Sequence, residues 1–273
     1  MSSGYFDLGD GKLYYEVSED EGQQQTLVLS HAAFLDGRMW DSQWDAFTQH
    51  YRVVRYDMMG FGRSEVATGQ RSRRADLLRL LDHLQIERAH LLGCSMGGEI
   101  VIDLALEHPE RVESIIVVNG VPNGFEMQGE PPPHFMEMIA ASQAGDVDLT
   151  SELQLRIWFD GPYRTTDQVD AQAARQYAST MNRIFVVNGT FAVDMQPLNP
   201  LTPPAIERLN EIHIPVLIIN GALDHAEVLR GAELMLAKIP QAQQVIIPNT
   251  AHVPNMEEAE IFNKSVLDFL EGV

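Results

Sequence analysis

The sequence contains a single cysteine, Cys94, in 273 residues. One thiol forms neither an internal disulfide nor a metal–thiolate cluster, so nothing in the chain calls for an oxidising compartment. Basic residues are also scarce. Lys and Arg number 19 against 39 Asp and Glu, a formal charge of −20. Such a field repels polyphosphate and leaves no basic stripe, which argues against nucleic acid and anionic membrane surfaces as partners. No apolar run approaches 18 residues, and the start MSSGYFDLGDGKLYY lacks a cationic segment followed by an apolar one, so the expectation is a cytoplasmic protein with no membrane span. No H-x-x-x-H or clustered ligand spacing occurs, and the sequence predicts no metal and no cofactor.

What remains is 45% apolar, enough for a sizeable core at a length where α/β folds close as one unit. Lys12 to Val17 alternates as a strand and is predicted to pair with Tyr5 to Leu8 across Gly9-Asp10-Gly11. The runs TLVLSH, YRVVRYD, AHLLGC, ESIIVVNG, IPVLIING and QVIIPN are near-continuous apolar strands, as a sheet covered on both faces requires. Helical spacing separates them over Arg71 to Leu84, Gly97 to Glu107, Glu227 to Lys238 and Glu257 to Leu270. Between Gly120 and the next strand the texture changes to a triple proline and Gln- and Met-rich segments, with helix-like stretches at Phe135 to Ala141, Leu149 to Phe159 and Thr166 to Val187. This predicts a doubly wound, mostly parallel α/β sheet with a helical cap inserted after the sixth strand. The core is assigned to residues 1–121 and 206–273, the cap to 122–205.

The run AHLLGC leads into Gly93-Cys94-Ser95-Met96-Gly97, a G-x-S-x-G pentapeptide. Three fixed positions recur by chance in about 10% of chains this long. The strand before it and the helix after it supply the specificity. A serine on that strained turn is held out over the sheet edge, and it needs a base steered by a carboxylate. The expected chain order is Ser, Asp or Glu, then His. His252 follows the apolar run QVIIPNTA, and Asp224 follows IPVLIINGAL, each at the carboxyl end of a strand, where ligands gather in open α/β sheets. The turn after the sixth strand offers only Asn119-Gly120. The predicted oxyanion donors are the backbone N–H groups of Met96 and, from the loop SHAAFLD, of Ala33. Cys94 and His31 read as structural, and His225 as a loop residue.

These segments, with SHAAFLDGRMWD, VVRYDMMGFGRSE, GCSMGGEIVIDLALEHPERV and AHVPNMEEAEIFNKSVLDFL, resemble the α/β-hydrolase superfamily, in particular its branch of small esterases, enol-lactonases and cofactor-free haloperoxidase-like proteins. The resemblance implies Ser95, Asp224 and His252 as a catalytic triad and the turn Asp57 to Ser64 as support. Many members carry glycine where this chain has Ala32, and if that position needs positive φ, alanine there costs about 1 kcal/mol or more. The implied activity is hydrolysis of a small-molecule carboxylic ester or lactone through an acyl-enzyme, by a monomer or homodimer. Enol-lactonase (3-oxoadipate) and carbon–carbon bond hydrolase chemistry are the alternatives, and a ligand receptor on the same fold is the non-enzymatic one. Phe34 and Trp158 are predicted pocket walls, the latter within an apolar cap set running from Phe135, Met136 and Met138 through Phe159, Met181 and Phe185 to Phe191 and Met195. The cap's four arginines face ten acids, a local charge of 4 − 10 = −6, which disfavours a strongly anionic substrate.

Overall fold

The computed structural model describes residues 1–19, 22, 25–66, 68–190 and 198–273. Among these residues eight strands form one sheet in the order β1-β2-β4-β3-β5-β6-β7-β8. The strands are β1 (Ser2–Asp7), β2 (Lys12–Val17), β3 (Thr26–Ser30), β4 (Arg52–Asp57), β5 (Ala89–Cys94), β6 (Val112–Val118), β7 (Val216–Gly221) and β8 (Ala242–Ile247). The β1–β2 and β2–β4 pairs are antiparallel and all the others parallel. The Gly9-Asp10-Gly11 turn sets the β1–β2 register, with Asp7 opposite Lys12.

Parallel strands need cover on both faces, and alternate residues of the sequence runs supply it. Val28, Val54, Leu91, Ile115, Val117 and Ile218 pack on one face, against α2 (Arg73–His83), α3 (Met96–Glu107) and α8 (Ala226–Lys238). Their neighbours Leu29, Val53, Leu92, Ile116, Val118 and Ile219 pack on the other face, against α1 (Asp41–Thr48) and α10 (Ala259–Leu270). Each fully buried Val, Leu or Ile contributes about 1.5–3 kcal/mol relative to exposure.

Helix α1 and the 3-10 turn Gly37–Trp40 before it escape a reading by periodicity, since WDSQWDAFT is mostly polar. The anticipated helix Thr166 to Val187 is instead a 3-10 turn, Thr166–Gln168, followed by α6 (Gln172–Asn188). The cap follows the sixth strand and carries α4 (Phe135–Gln143), α5 (Val147–Leu155), a π-helical turn (Arg156–Asp160) and α6, while the short helices α7 (Ala205–Arg208) and α9 (Pro254–Glu257) precede β7 and α10. Chain order in the sheet reverses between β3 and β5, so their carboxyl ends open the crevice in which α/β sheets bind ligands. Ser95 follows β5, and the loop with Ala33 follows β3.

Candidate active site

Ser95 has φ 53° and ψ −115°, a conformation costing of order 1–3 kcal/mol and found where function maintains it. Its neighbours explain how the turn persists. A Cβ on Gly93 would sit 2.0 Å from the Gly97 carbonyl oxygen, and one on Gly97 would sit 2.3 Å from that of Ser30. Only glycine lets these backbones pass at that range: Gly93 brings β5 against the start of α3, and Gly97 brings the turn against the end of β3. The Ser95 N–H donates to the Val118 carbonyl at 2.8 Å, which anchors the elbow to β6.

The structure brings His252 and Asp224 together. His252 Nδ1 donates to Asp224 Oδ2 at 2.7 Å, and both side chains are buried. The other carboxylate oxygen, Oδ1, accepts from the His225 N–H at 2.7 Å. His225 itself turns its ring to the N-terminus of α8, where Nδ1 accepts from the Glu227 N–H, a capping role in place of a plain loop position. The His252 ring lies beside Trp158, with centroids 5.0 Å apart, and Phe34, at 6.3 Å. Ser95 and His252 line one cavity of about 270 Å³ together with Ala33, Phe34, Met96 and Trp158. No hydrogen bond joins the Ser95 hydroxyl to His252 Nε2 among the described residues, and such contacts in unliganded sites are often long until substrate binds.

Neither the Ala33 N–H nor the Met96 N–H has a protein acceptor among the described residues, and both residues face the cavity. Ala32 is not among the non-glycine residues of positive φ, so alanine fits there without the strain anticipated for it. Its N–H donates to Met39 Sδ at 3.3 Å. His31 braces this loop from below. Its Nδ1 donates to the Ala32 carbonyl at 2.8 Å, and its Nε2 accepts from the Met58 N–H at 2.9 Å, joining the loop to the Asp57–Ser64 turn.

Those two bonds require neutral His31, and burial lowers its pKa. The unfolded chain therefore takes up a proton near pH 6.5 that the folded one resists, so this stabilisation is complete above about pH 6.5 and is lost as the pH falls toward the lower folded value. The carboxyls of Asp103 and Glu257, both pushed up to about 7 by burial, act in the opposite sense, because the folded state holds their protons more tightly. The difference between wild type and His31→Asn isolates the imidazole. Urea midpoints from pH 8 to 5 are expected to fall less with acidification in the variant, and parallel curves would count against this role.

Sequence reasoning missed the residues that hold the His252 loop. Asn119 Nδ2 donates to the Ala251 carbonyl at 2.9 Å, while Asn119 Oδ1 accepts from Asn220 Nδ2 at 3.1 Å and the Gly221 N–H at 3.3 Å. Glu257 accepts from the Ala251 N–H at 2.7 Å and from Arg164 Nη2 at 2.8 Å. The His252 N–H donates to the Trp158 carbonyl at 3.3 Å, tying the π-helical turn to this loop. Cys94 is fully buried, its Sγ 3.6 Å from the His252 carbonyl oxygen, and burial raises its pKa. Of the apolar cap set, Phe135, Met138, Trp158 and Phe185 reach the cavity. Phe159 and Met181 pack in the core instead, and Met136 points to solvent. Phe191 and Met195 lie outside the described residues. No helix among the described residues is long and apolar enough to cross a membrane.

The profile of the alpha/beta hydrolase fold family matches residues 25–259. The RutD protein of Caulobacter sp. (strain K31), named for carbamate hydrolysis, is 31% identical over 269 residues, covering 95% of this chain and 96% of that protein. The pimeloyl-[acyl-carrier protein] methyl ester esterase of Yersinia enterocolitica is 30% identical, over 90% of this chain and 93% of its own. The crystal structure of the enol-lactonase from Burkholderia xenovorans LB400 superposes with a TM-score of 0.80 at 26% identity, covering 98% of this chain and 100% of that one.

Proposed function

The chain belongs to the alpha/beta hydrolase fold family, and we propose that it cleaves a carboxylic ester or lactone through an acyl-enzyme on Ser95. The observation that carries this reading is the convergence of a positive-φ serine and a His–Asp pair at 2.7 Å on one cavity. Ser95 Oγ attacks the carbonyl while His252 Nε2 accepts its proton. Asp224 keeps the remaining ring proton on Nδ1 and stabilises the imidazolium that forms. The N–H groups of Ala33 and Met96 bind the oxyanion, an interaction typically worth 10²–10³ in rate per donor. His252 then returns the proton to the leaving alcohol and activates the water that releases the acid. Residues 122–205 serve as the cap and residues 1–121 and 206–273 as the hydrolase core, with Phe34 and Trp158 flanking the base.

The test is a panel of p-nitrophenyl esters, lactones and vinylogous diketones. Wild-type enzyme is expected to turn over esters or lactones repeatedly and to leave an acyl mass on the Ser95 peptide after rapid acid quench. Turnover of the diketones alone would shift the assignment to carbon–carbon hydrolysis. One slow burst followed by a lasting adduct would point to a receptor.

A further inference from the structure

Beyond Ser95 the cavity continues along α3. Glu99 and Asp103 stand four and eight residues on and both line it, so successive turns of one helix face place two carboxyls about 6 and 12 Å along the axis from the nucleophile. Helical side chains lean back over the preceding turn, which brings the Asp103 carboxyl toward Glu99 and the serine. Asp103 is 5% exposed, and its Oδ1 is buried with no hydrogen-bond partner among the described residues. Glu99 has one, Asn123 Nδ2 at 3.3 Å.

A buried carboxyl left without a partner costs stability, and a like-charged neighbour one turn away adds to the cost. The pKa directions agree. Burial raises both groups, and Glu99 adds to the rise at Asp103, which reaches about 7. The same wall holds Arg73 and Arg74. Arg74 is already bound to both Glu107 carboxylate oxygens, at 2.6 and 3.2 Å, and to the Asn199 carbonyl at 2.7 Å. Arg73 lowers the Glu99 pKa by its charge, and even counted wholly against the pair it offsets only one of two carboxylates. Arg74 still draws Asp103 toward ionisation by its charge, Glu107 opposes it, and Arg208 adds a smaller pull in the direction of Arg74.

We propose that Glu99 and Asp103 form a subsite for an ammonium group on the substrate, about 6–10 Å from the scissile carbonyl. This rests on the ester or lactone reading above and names the substrate class for it: an acyl chain of roughly five methylenes ending in a protonated amine. The ammonium supplies the donor that Asp103 lacks and separates the two like charges. A net charge of −20 draws such a cation toward the protein and repels its carboxylate counterpart.

Three p-nitrophenyl esters of matched length test this: 6-aminohexanoate, heptanoate and the mono-ester of pimelate. In wild type, kcat/KM for the aminoacyl ester is expected to exceed that for heptanoate at least tenfold, mainly through KM, with the pimelate ester slowest. Asp103→Asn and Glu99→Gln are each expected to cut the cationic-to-neutral ratio several-fold. Because the ratio is read within each variant, a general loss of activity cancels. Asp103→Asn is also expected to raise the thermal unfolding midpoint, since it removes a buried charge. Heptanoate turned over as fast as the aminoacyl ester, or ratios unmoved by both substitutions, would overturn the subsite and leave the hydrolase reading standing. If no ester is cleaved, that reading fails and the subsite is judged by binding alone. Hexylammonium is expected to bind Ser95→Ala calorimetrically at least tenfold tighter than hexanol or hexanoate, and equal affinities would overturn it.

Discussion

Alanine at position 95 is expected to lower kcat for a p-nitrophenyl ester by roughly 10⁵–10⁶-fold while KM stays within a few-fold. The loss corresponds to about 7–8 kcal/mol of transition-state stabilisation, and its size follows from what the substitution removes and what it leaves. It removes the Ser95 hydroxyl, which shares the cavity with His252. It leaves the elbow in place, because the contacts of Gly93 and Gly97 and the Ser95 N–H bond to Val118 belong to the backbone. The N–H groups of Ala33 and Met96 survive too, so a residual rate above the uncatalysed one persists. Steady-state kinetics with an unfolding curve on the same preparation checks this, the expected stability change being under about 0.5 kcal/mol. In the proposed mechanism serine and imidazole act as a unit, so adding His252→Ala to Ser95→Ala is expected to lower the rate little further. Retention of a tenth of wild-type activity in Ser95→Ala would falsify the mechanism.

The parts of this site that a sequence shows are those with a one-dimensional signature. Gly93-x-Ser95-x-Gly97 is legible because the steric demand falls on residues two apart from the serine. Asp224 and His252 are legible because each follows an apolar strand whose carboxyl end must reach the crevice. The strands themselves appear as unbroken runs, since both faces of the sheet are buried. Asn119 was visible only as a missing carboxylate. Its bonds to Ala251 and Gly221 join three strand ends, and no spacing rule encodes a meeting of segments more than a hundred residues apart. Glu99 and Asp103 do share a face with Ser95 by i+4 spacing, yet whether that face looks onto a neighbouring helix or a cavity depends on how the cap lies over it. The cap's apolar residues illustrate the same limit. Phe159 and Trp158 are adjacent, but the π-helical turn buries the first in the core and sets the second against His252.

Asparagine at position 224 is expected to lower kcat by about 10⁴-fold with stability nearly unchanged, and the local hydrogen bonds explain why an isosteric change acts so strongly. One carboxylate oxygen accepts from the His225 N–H at 2.7 Å and the other from His252 Nδ1 at 2.7 Å. An amide has one acceptor oxygen, and the fixed backbone N–H of His225 claims it. The NH₂ group then faces His252 Nδ1, which must become the acceptor, so the ring proton moves to Nε2. In that tautomer Nε2 has no lone pair for the Ser95 proton, and an imidazolium has no carboxylate to stabilise it. Asn119 cannot substitute, because its amide is bound to Ala251, Asn220 and Gly221. Two measurements check the argument: kcat at neutral pH, and the ¹⁵N shifts of the His252 ring, whose protonated nitrogen should change from Nδ1 in wild type to Nε2 in the variant. A kcat within tenfold of wild type, with the proton still on Nδ1, would mean that Asp224 does not set the tautomer of the base.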